Sequence, residues 1–276
     1  MNGAQRIDAA TVGRYLGLLG VSATTPDTKT LRRLVRAHLT HVPFENISKL
    51  WYARTPGYRG LPGIERFLDG IEQYRFGGTC YANNYYLYLL LVALGFDARL
   101  CGADMSRSDV HVVTMVRLPE GDFLVDGGYA APFLDPLPLF SNGCVEVSLG
   151  SERYVLHPRD GRGRSRLDLY REGVLTHGYT AKPERREIAE FAGVIADSFS
   201  PAATFMNAVV VAKFEEDRSL VLHNRTLIES RGAVVRKRDL AGRSGVIDAL
   251  ETEFGIPPAV AGAALPDMNR LEDPWA

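Results

Sequence analysis

Phe76-Gly77-Gly78-Thr79-Cys80-Tyr81-Ala82-Asn83-Asn84 is the stretch on which the reading of this chain turns, because two glycines bend the backbone just ahead of a thiol and a long apolar run. From Tyr81 to Leu94 nearly every residue is apolar or aromatic, and Gly95 stands where a helix ends in a left-handed cap. The pattern predicts a buried helix opened by Cys80. Unpaired N–H groups and the positive dipole end at a helix N-terminus favour an anion, so a thiolate there is stabilised. Position alone does not assign a role, since a free Cys is also a common buried hydrophobe.

Upstream, three helical patterns precede it. Asp8 is placed to cap the first, with Val12, Tyr15, Leu16 and Leu19 inward, and Asp27 the second, with Leu31, Leu34, Val35 and Leu39 inward and Pro43 beyond its end. Pro62 can start a third that carries Ile64, Phe67, Leu68 and Ile71. Downstream of Gly95 the period changes to short runs of β-formers, at 98–103, 111–118, 123–125, 145–149, 154–157 and 167–170, separated by polar turns. These predict a β-sandwich or barrel. A helical pattern at 183–197 is followed by strand-like runs at 208–214, 219–223, 226–229 and 233–235 and by a last helix over 244–254.

The composition narrows the function classes. The chain has 276 residues, of which 46% are hydrophobic and 24% charged, as in an ordinary globular protein. Its 32 basic and 33 acidic side chains give no global field for nucleic acid or an anionic membrane, so neither partner is expected. The three cysteines, Cys80, Cys101 and Cys144, form no Cys-x-x-Cys pair, and neither a metal site nor a disulfide framework is predicted. The N-terminus lacks a signal-peptide pattern and the run from Tyr85 to Leu94 is too short to span a bilayer, so a cytoplasmic protein is expected.

A nucleophilic Cys80 needs a base within hydrogen-bond reach and a group to orient that base. His111 opens one strand-like run and Asp126 closes the next at Val125-Asp126-Gly127-Gly128. Two antiparallel strands joined through Pro119-Glu120-Gly121 bring the two residues together at one sheet edge. His38 and His41 lie at a helix end, and His157, His177 and His223 show no matching acid at strand spacing. Cys101 and Cys144 are expected to be inert core.

Together these residues resemble the arylamine N-acetyltransferase family, whose pattern is Arg-Gly-Gly-x-Cys-x-Glu-x-Asn around the nucleophile, followed by a strand His and an Asp-x-Gly. Val42-Pro43-Phe44-Glu45-Asn46 and Ser200-Pro201-Ala202-Ala203-Thr204-Phe205 also match elements of that family, so the likeness runs over essentially the whole length. The resemblance implies an α+β protein with a cysteine-protease-like catalytic core. Its parts would be a helical bundle over 1–95 carrying the nucleophile, a central antiparallel β-barrel over 96–195 carrying His and Asp, and an α/β lid over 196–276. It implies Cys80, His111 and Asp126 as the catalytic triad and Phe44, Tyr129 and Phe205 as aromatic walls of the acceptor pocket. It also implies acyl transfer from acetyl-CoA or another acyl-thioester, through an acyl-Cys80 intermediate, to a small amine, with no permanently bound cofactor.

Two positions depart from the pattern: Phe76 stands where the family has Arg, with Arg75 displaced by one, and Ala82 where it has Glu. Glu45, the expected partner of that Arg, is left to Arg75 or to another cation. The replacements are expected to make the surroundings of Cys80 more apolar and to favour longer acyl chains. An amide synthase fed by an acyl-carrier protein and a catalytically idle acyl- or CoA-binding protein are the alternative functions. Basic clusters at Arg159, Arg162, Arg164 and Arg166, and at Arg231, Arg236, Lys237 and Arg238, are candidates for the donor's phosphates.

Overall fold

A computed structural model describes residues 6–22 and 25–271. Asp8 and Asp27 cap as their positions predict: their carboxylates accept the N–H groups of Thr11 at 2.8 Å and Thr30 at 2.7 Å, opening α1 (Ala9–Leu18) and α2 (Thr28–His41). Between Pro43 and Pro62 lie two short elements without a periodic signature, β1 (Phe44–Glu45) and α3 (Ile47–Tyr52). α4 (Ile64–Tyr74) is closed by Arg75 in the left-handed region at φ 56°. α5 (Cys80–Ala93) begins at the thiol.

The chain then forms β2 (Asp97–Asp104), β3 (His111–Leu118), β4 (Gly121–Val125), β5 (Leu137–Pro138), β6 (Val145–Leu149), β7 (Glu152–Leu156), β8 (Ser165–Arg171) and β9 (Val174–Arg185). They make one antiparallel sheet in the order β5-β4-β3-β2-β9-β8-β7-β6, barrel-like, with its edges β5 and β6 not hydrogen-bonded to each other. β9 is the main departure from the predicted pattern. Its twelve residues pair with both β8 and β2, and that double pairing carries strand through Pro183, where a helix was expected. Helix appears only afterwards, as a 3-10 turn at Ile188–Phe191 and α6 (Ala192–Asp197).

A second sheet holds β10 (Val210–Phe214), β11 (Arg218–His223), β12 (Thr226–Arg231) and β13 (Val234–Asp239), with β1 as its edge, Phe44 paired with Ala212. α7 (Gly242–Phe254) covers the predicted last helix, and α8 (Pro258–Ala264) follows with Pro258 in its first turn. Apolar burial divides into two clusters. The larger joins α1, α2, α4 and α5 to the eight-stranded sheet, and the smaller packs α3, α7 and α8 against β10–β12. Among the described residues no helix is long and apolar enough to cross a membrane.

Candidate active site

Cys80 lies at the first turn of α5, where Thr79 makes no side-chain cap and the leading N–H groups are left for another acceptor. The turn ahead of it is fixed from both sides. Gly77 lies so close to the Pro43 carbonyl that a side chain would collide with it, and Glu45 N–H donates to the Gly78 carbonyl at 3.0 Å. Cys80 Sγ is half-buried and donates to the Val110 carbonyl at 3.8 Å. The loop carrying Val110 is pinned by Asp109, whose carboxylate pairs with Lys182 at 2.6 Å and Arg186 at 3.2 Å.

β3 and β4 supply the next two groups. Thr114 pairs with Val125, and one step further that register sets Asp126 opposite Val113, on the face His111 shares. His111 Nε2 bonds Asp126 Oδ2 at 2.8 Å, with both side chains buried. Burial opposes charge on the ring, but the Asp126 carboxylate and the Cys80 side chain outweigh it and raise the His111 pKa to about 10. Burial likewise works against ionised Asp126, yet the imidazolium, Asn84 and the Gly128 N–H hold its pKa below the usual carboxylate value. His111 therefore holds a proton through the neutral range, between an acid and a thiol.

Asn84, one turn along α5 from Cys80, ties the arrangement together. Its amide donates to Asp126 Oδ1 at 2.8 Å and to the Val112 carbonyl, while its oxygen accepts the Gly127 N–H at 2.8 Å. The sequence signal for it was a polar residue inside an apolar helix, which demands a partner once buried. Gly128 must stay side-chain-free, since a Cβ there would come within 2.7 Å of Cys80 Cα. The Gly127 and Gly128 N–H groups are already engaged by Asn84 and Asp126.

A cavity of about 340 Å³ opens onto Cys80 and His111. Phe44, Tyr129 and Phe205 all line it, and the Phe44 and Phe205 rings meet edge to face at 5.9 Å. His177, set aside for want of an acid, also lies on the wall, 2.7 Å from the Tyr129 hydroxyl. Lys49 and Arg107 bring positive charge that the motifs did not indicate.

Several expectations are corrected. Phe76 does not face the cavity: it packs on Tyr52 and Tyr74 in the smaller apolar cluster, and Ala82 also lies off the cavity wall, so neither makes the surroundings of Cys80 more apolar. Among the described residues Glu45 pairs with no cation. Its two oxygens accept the Gly77 N–H at 3.0 Å and the Ser48 N–H at 2.7 Å, and Arg75 ends α4 elsewhere. In the basic clusters Arg159, Arg164, Arg166, Arg231 and Arg238 are paired with acids, and no member of either cluster lines the cavity. Cys101 is buried, but Cys144 is exposed, because the turn before β6 leaves it outside the sheet. His157 does have an acid at strand spacing: it bonds Asp168 at 2.9 Å across β7 and β8, and Cys144 Sγ lies 3.6 Å from its other ring nitrogen.

The sequence profile described as N-acetyltransferase matches residues 27–261. An arylamine N-acetyltransferase of Mycolicibacterium smegmatis is 28% identical over 265 residues, which cover 90% of this chain and 92% of that protein. The proansamycin X synthase of Amycolatopsis mediterranei is 27% identical over 185 residues, 63% of this chain and 69% of that one. In structure, the Mycobacterium marinum arylamine N-acetyltransferase in complex with CoA superposes with a TM-score of 0.77 at 26% identity, covering 95% of this chain and 97% of that one. The Mycobacterium abscessus arylamine N-acetyltransferase gives 0.78 at 23% identity, covering 94% of each chain. With a profile that spans most of its length, the chain belongs to the arylamine N-acetyltransferase family of acetyltransferases.

Proposed function

We propose that the protein transfers an acyl group from an acyl-CoA, acetyl-CoA being the simplest donor, through Cys80 to a small amine. The observation that carries this reading is the buried His111 ring, bonded to Asp126 at 2.8 Å and lining one aromatic-walled cavity with the Cys80 thiol. With the proton resting on the imidazole, Cys80 attacks the thioester carbonyl carbon as a thiolate. The oxyanion that forms is met by the unengaged N–H groups at the start of α5. The carbon–sulfur bond to coenzyme A then breaks, and the departing thiolate takes the proton from His111. The amine nitrogen next attacks the acyl carbon and gives a proton to His111, and Cys80 leaves as a thiolate with the imidazolium restored. Asp126 fixes the ring and its charge throughout, and Arg107, exposed on the cavity wall, is the candidate partner for donor phosphate.

A second reading, amide synthesis on a long carrier-bound acyl chain, draws on the likeness to proansamycin X synthase. The cavity volume of about 340 Å³ favours the first, since it falls at the small end of the ~300–1,000 Å³ usual for ligand sites. Intact-mass measurement after brief mixing with acetyl-CoA tests the proposal, run with Cys144→Ser alone and with Cys144→Ser plus Cys80→Ser. One acetyl is expected on the first, discharged by added aniline, and none on the second. Equal loading of both variants would remove Cys80 from the mechanism.

A further inference from the structure

Lys49 is only 8% exposed, and it lines the cavity that holds Cys80. Three hydrogens on Nζ need acceptors. One goes to Ser198 Oγ at 2.7 Å, and that hydroxyl spends its own hydrogen on the Ile195 carbonyl at 2.6 Å, so toward Lys49 it can only accept. The face of the Phe199 ring lies 4.5 Å from the nitrogen. Among the described residues no carboxylate pairs with Lys49, and Asp197, on the same wall, makes no ion pair with it.

A buried ammonium normally has a counter-charge, and here burial alone, partly offset by Cys80, draws its pKa down to about 8. The position follows from local structure: α3 starts where Glu45 caps the Ser48 N–H, and the next residue points its side chain between α6 and the nucleophile turn. An anion that arrives with substrate would complete this arrangement.

Building on the acyl-transfer reading, we propose that Lys49 is a specificity-determining residue that binds a carboxylate carried by the substrate, so that the enzyme prefers carboxylated over neutral molecules of the same shape. The carboxylate can arrive at the far end of the acyl group or on the amine acceptor, and two matched pairs separate these sources. Succinyl-CoA and butyryl-CoA differ at the acyl terminus and share every coenzyme phosphate, so their ratio of Cys80 loading rates reports the acyl arm. With acetyl-CoA as donor, 4-aminobenzoate and 4-aminobenzamide report the acceptor arm through kcat/KM.

Wild type should favour the carboxylated member of one pair by about tenfold or more, the usual worth of a charge-assisted hydrogen bond. In Lys49→Met and Lys49→Gln that ratio should fall to about one or below, and Lys49→Arg should keep a preference. Far-UV circular dichroism checks that the variants fold, and the wild-type ratios need no variant. Ratios of one in both wild-type pairs, or a preference that survives Lys49→Met, overturn the inference while acetyl loading of Cys80 leaves the acyl-transfer reading standing. Failure of every thioester to load Cys80 overturns that reading and this inference with it.

Discussion

In the proposed mechanism a single atom of Asp126 sets the role of the base. Oδ2 accepts from His111 Nε2 at 2.8 Å, which leaves Nδ1 as the ring nitrogen open for exchange with the Cys80 side chain, one of the groups that raise the ring's pKa. In Asp126→Asn the amide keeps the volume but removes the charge that holds the ring protonated. A comparable exchange in a serine triad costs ~10⁴ in turnover, and a loss of that order is expected here with the fold retained, measured as kcat for acetyl transfer to aniline beside a thermal melt. Near-wild-type kcat would remove Asp126 from its orienting role. These three residues were legible in the sequence because each sits at an element boundary: a helix start, a strand start and a strand end. Lys49 was not, because nothing around it in the chain distinguishes it from a surface lysine. Its burial comes from Ser198 and Phe199, roughly 150 residues away, which no local pattern reveals.

The α5 helix is the element that turns separate residues into a site. Cys80 and Asn84 are one turn apart on one face, so the rod that presents the thiol also grips the carboxylate behind the base. Asn84→Leu would take one of two donors from Asp126 Oδ1, which keeps the Gly128 N–H, and would leave the Gly127 N–H without its partner, and leaving a buried polar group unpaired costs ~1–3 kcal/mol. The expected outcome is a lower urea midpoint together with a loss of kcat larger than the rise in KM. A variant that loses stability but keeps kcat would show that Asn84 braces the fold without aligning His111. Elements with strong period were readable in the sequence, as α2, α5 and β3 show. β1, α3 and α8 were not: two of them are too short to display a period, and the small residues of α8 show no apolar stripe. β9 escaped for a different reason, because its partners β8 and β2 override the local helical pattern.

For the whole molecule, two buried histidines set opposite trends with pH. Burial pushes the His38 pKa down to about 3, so the ring stays neutral in the fold, 3.1 Å from the Tyr15 hydroxyl. Below the unfolded value of ~6.5 the unfolded chain binds a proton that the native ring refuses. The stability His38 contributes is therefore complete above that pH and is lost as pH falls toward 3, at up to ~1.4 kcal/mol per pH unit. His111, raised to about 10, behaves in the reverse sense: its contribution is complete below ~6.5 and fades as pH climbs through 10. Urea midpoints at pH 7.5 and 5.0 should fall less in His38→Gln than in wild type, and equal falls would contradict the assignment. The edge strand β1 carries a wider consequence. Phe44 bridges Gly78 on one side and pairs with Ala212 on the other, so the turn before Cys80 is stitched to the C-terminal sheet of the chain. Loosening of that sheet should travel to the thiol as one cooperative unit. In a denaturant series, amide protons of β10 and β11 should lose protection at the concentration where Cys80 becomes freely alkylated, whereas alkylation well before that point would mark the seam as a hinge. A chain cut before β10 would then lose the shape of its candidate site along with its sheet, although Cys80, His111 and Asp126, the proposed triad, all lie upstream of the cut.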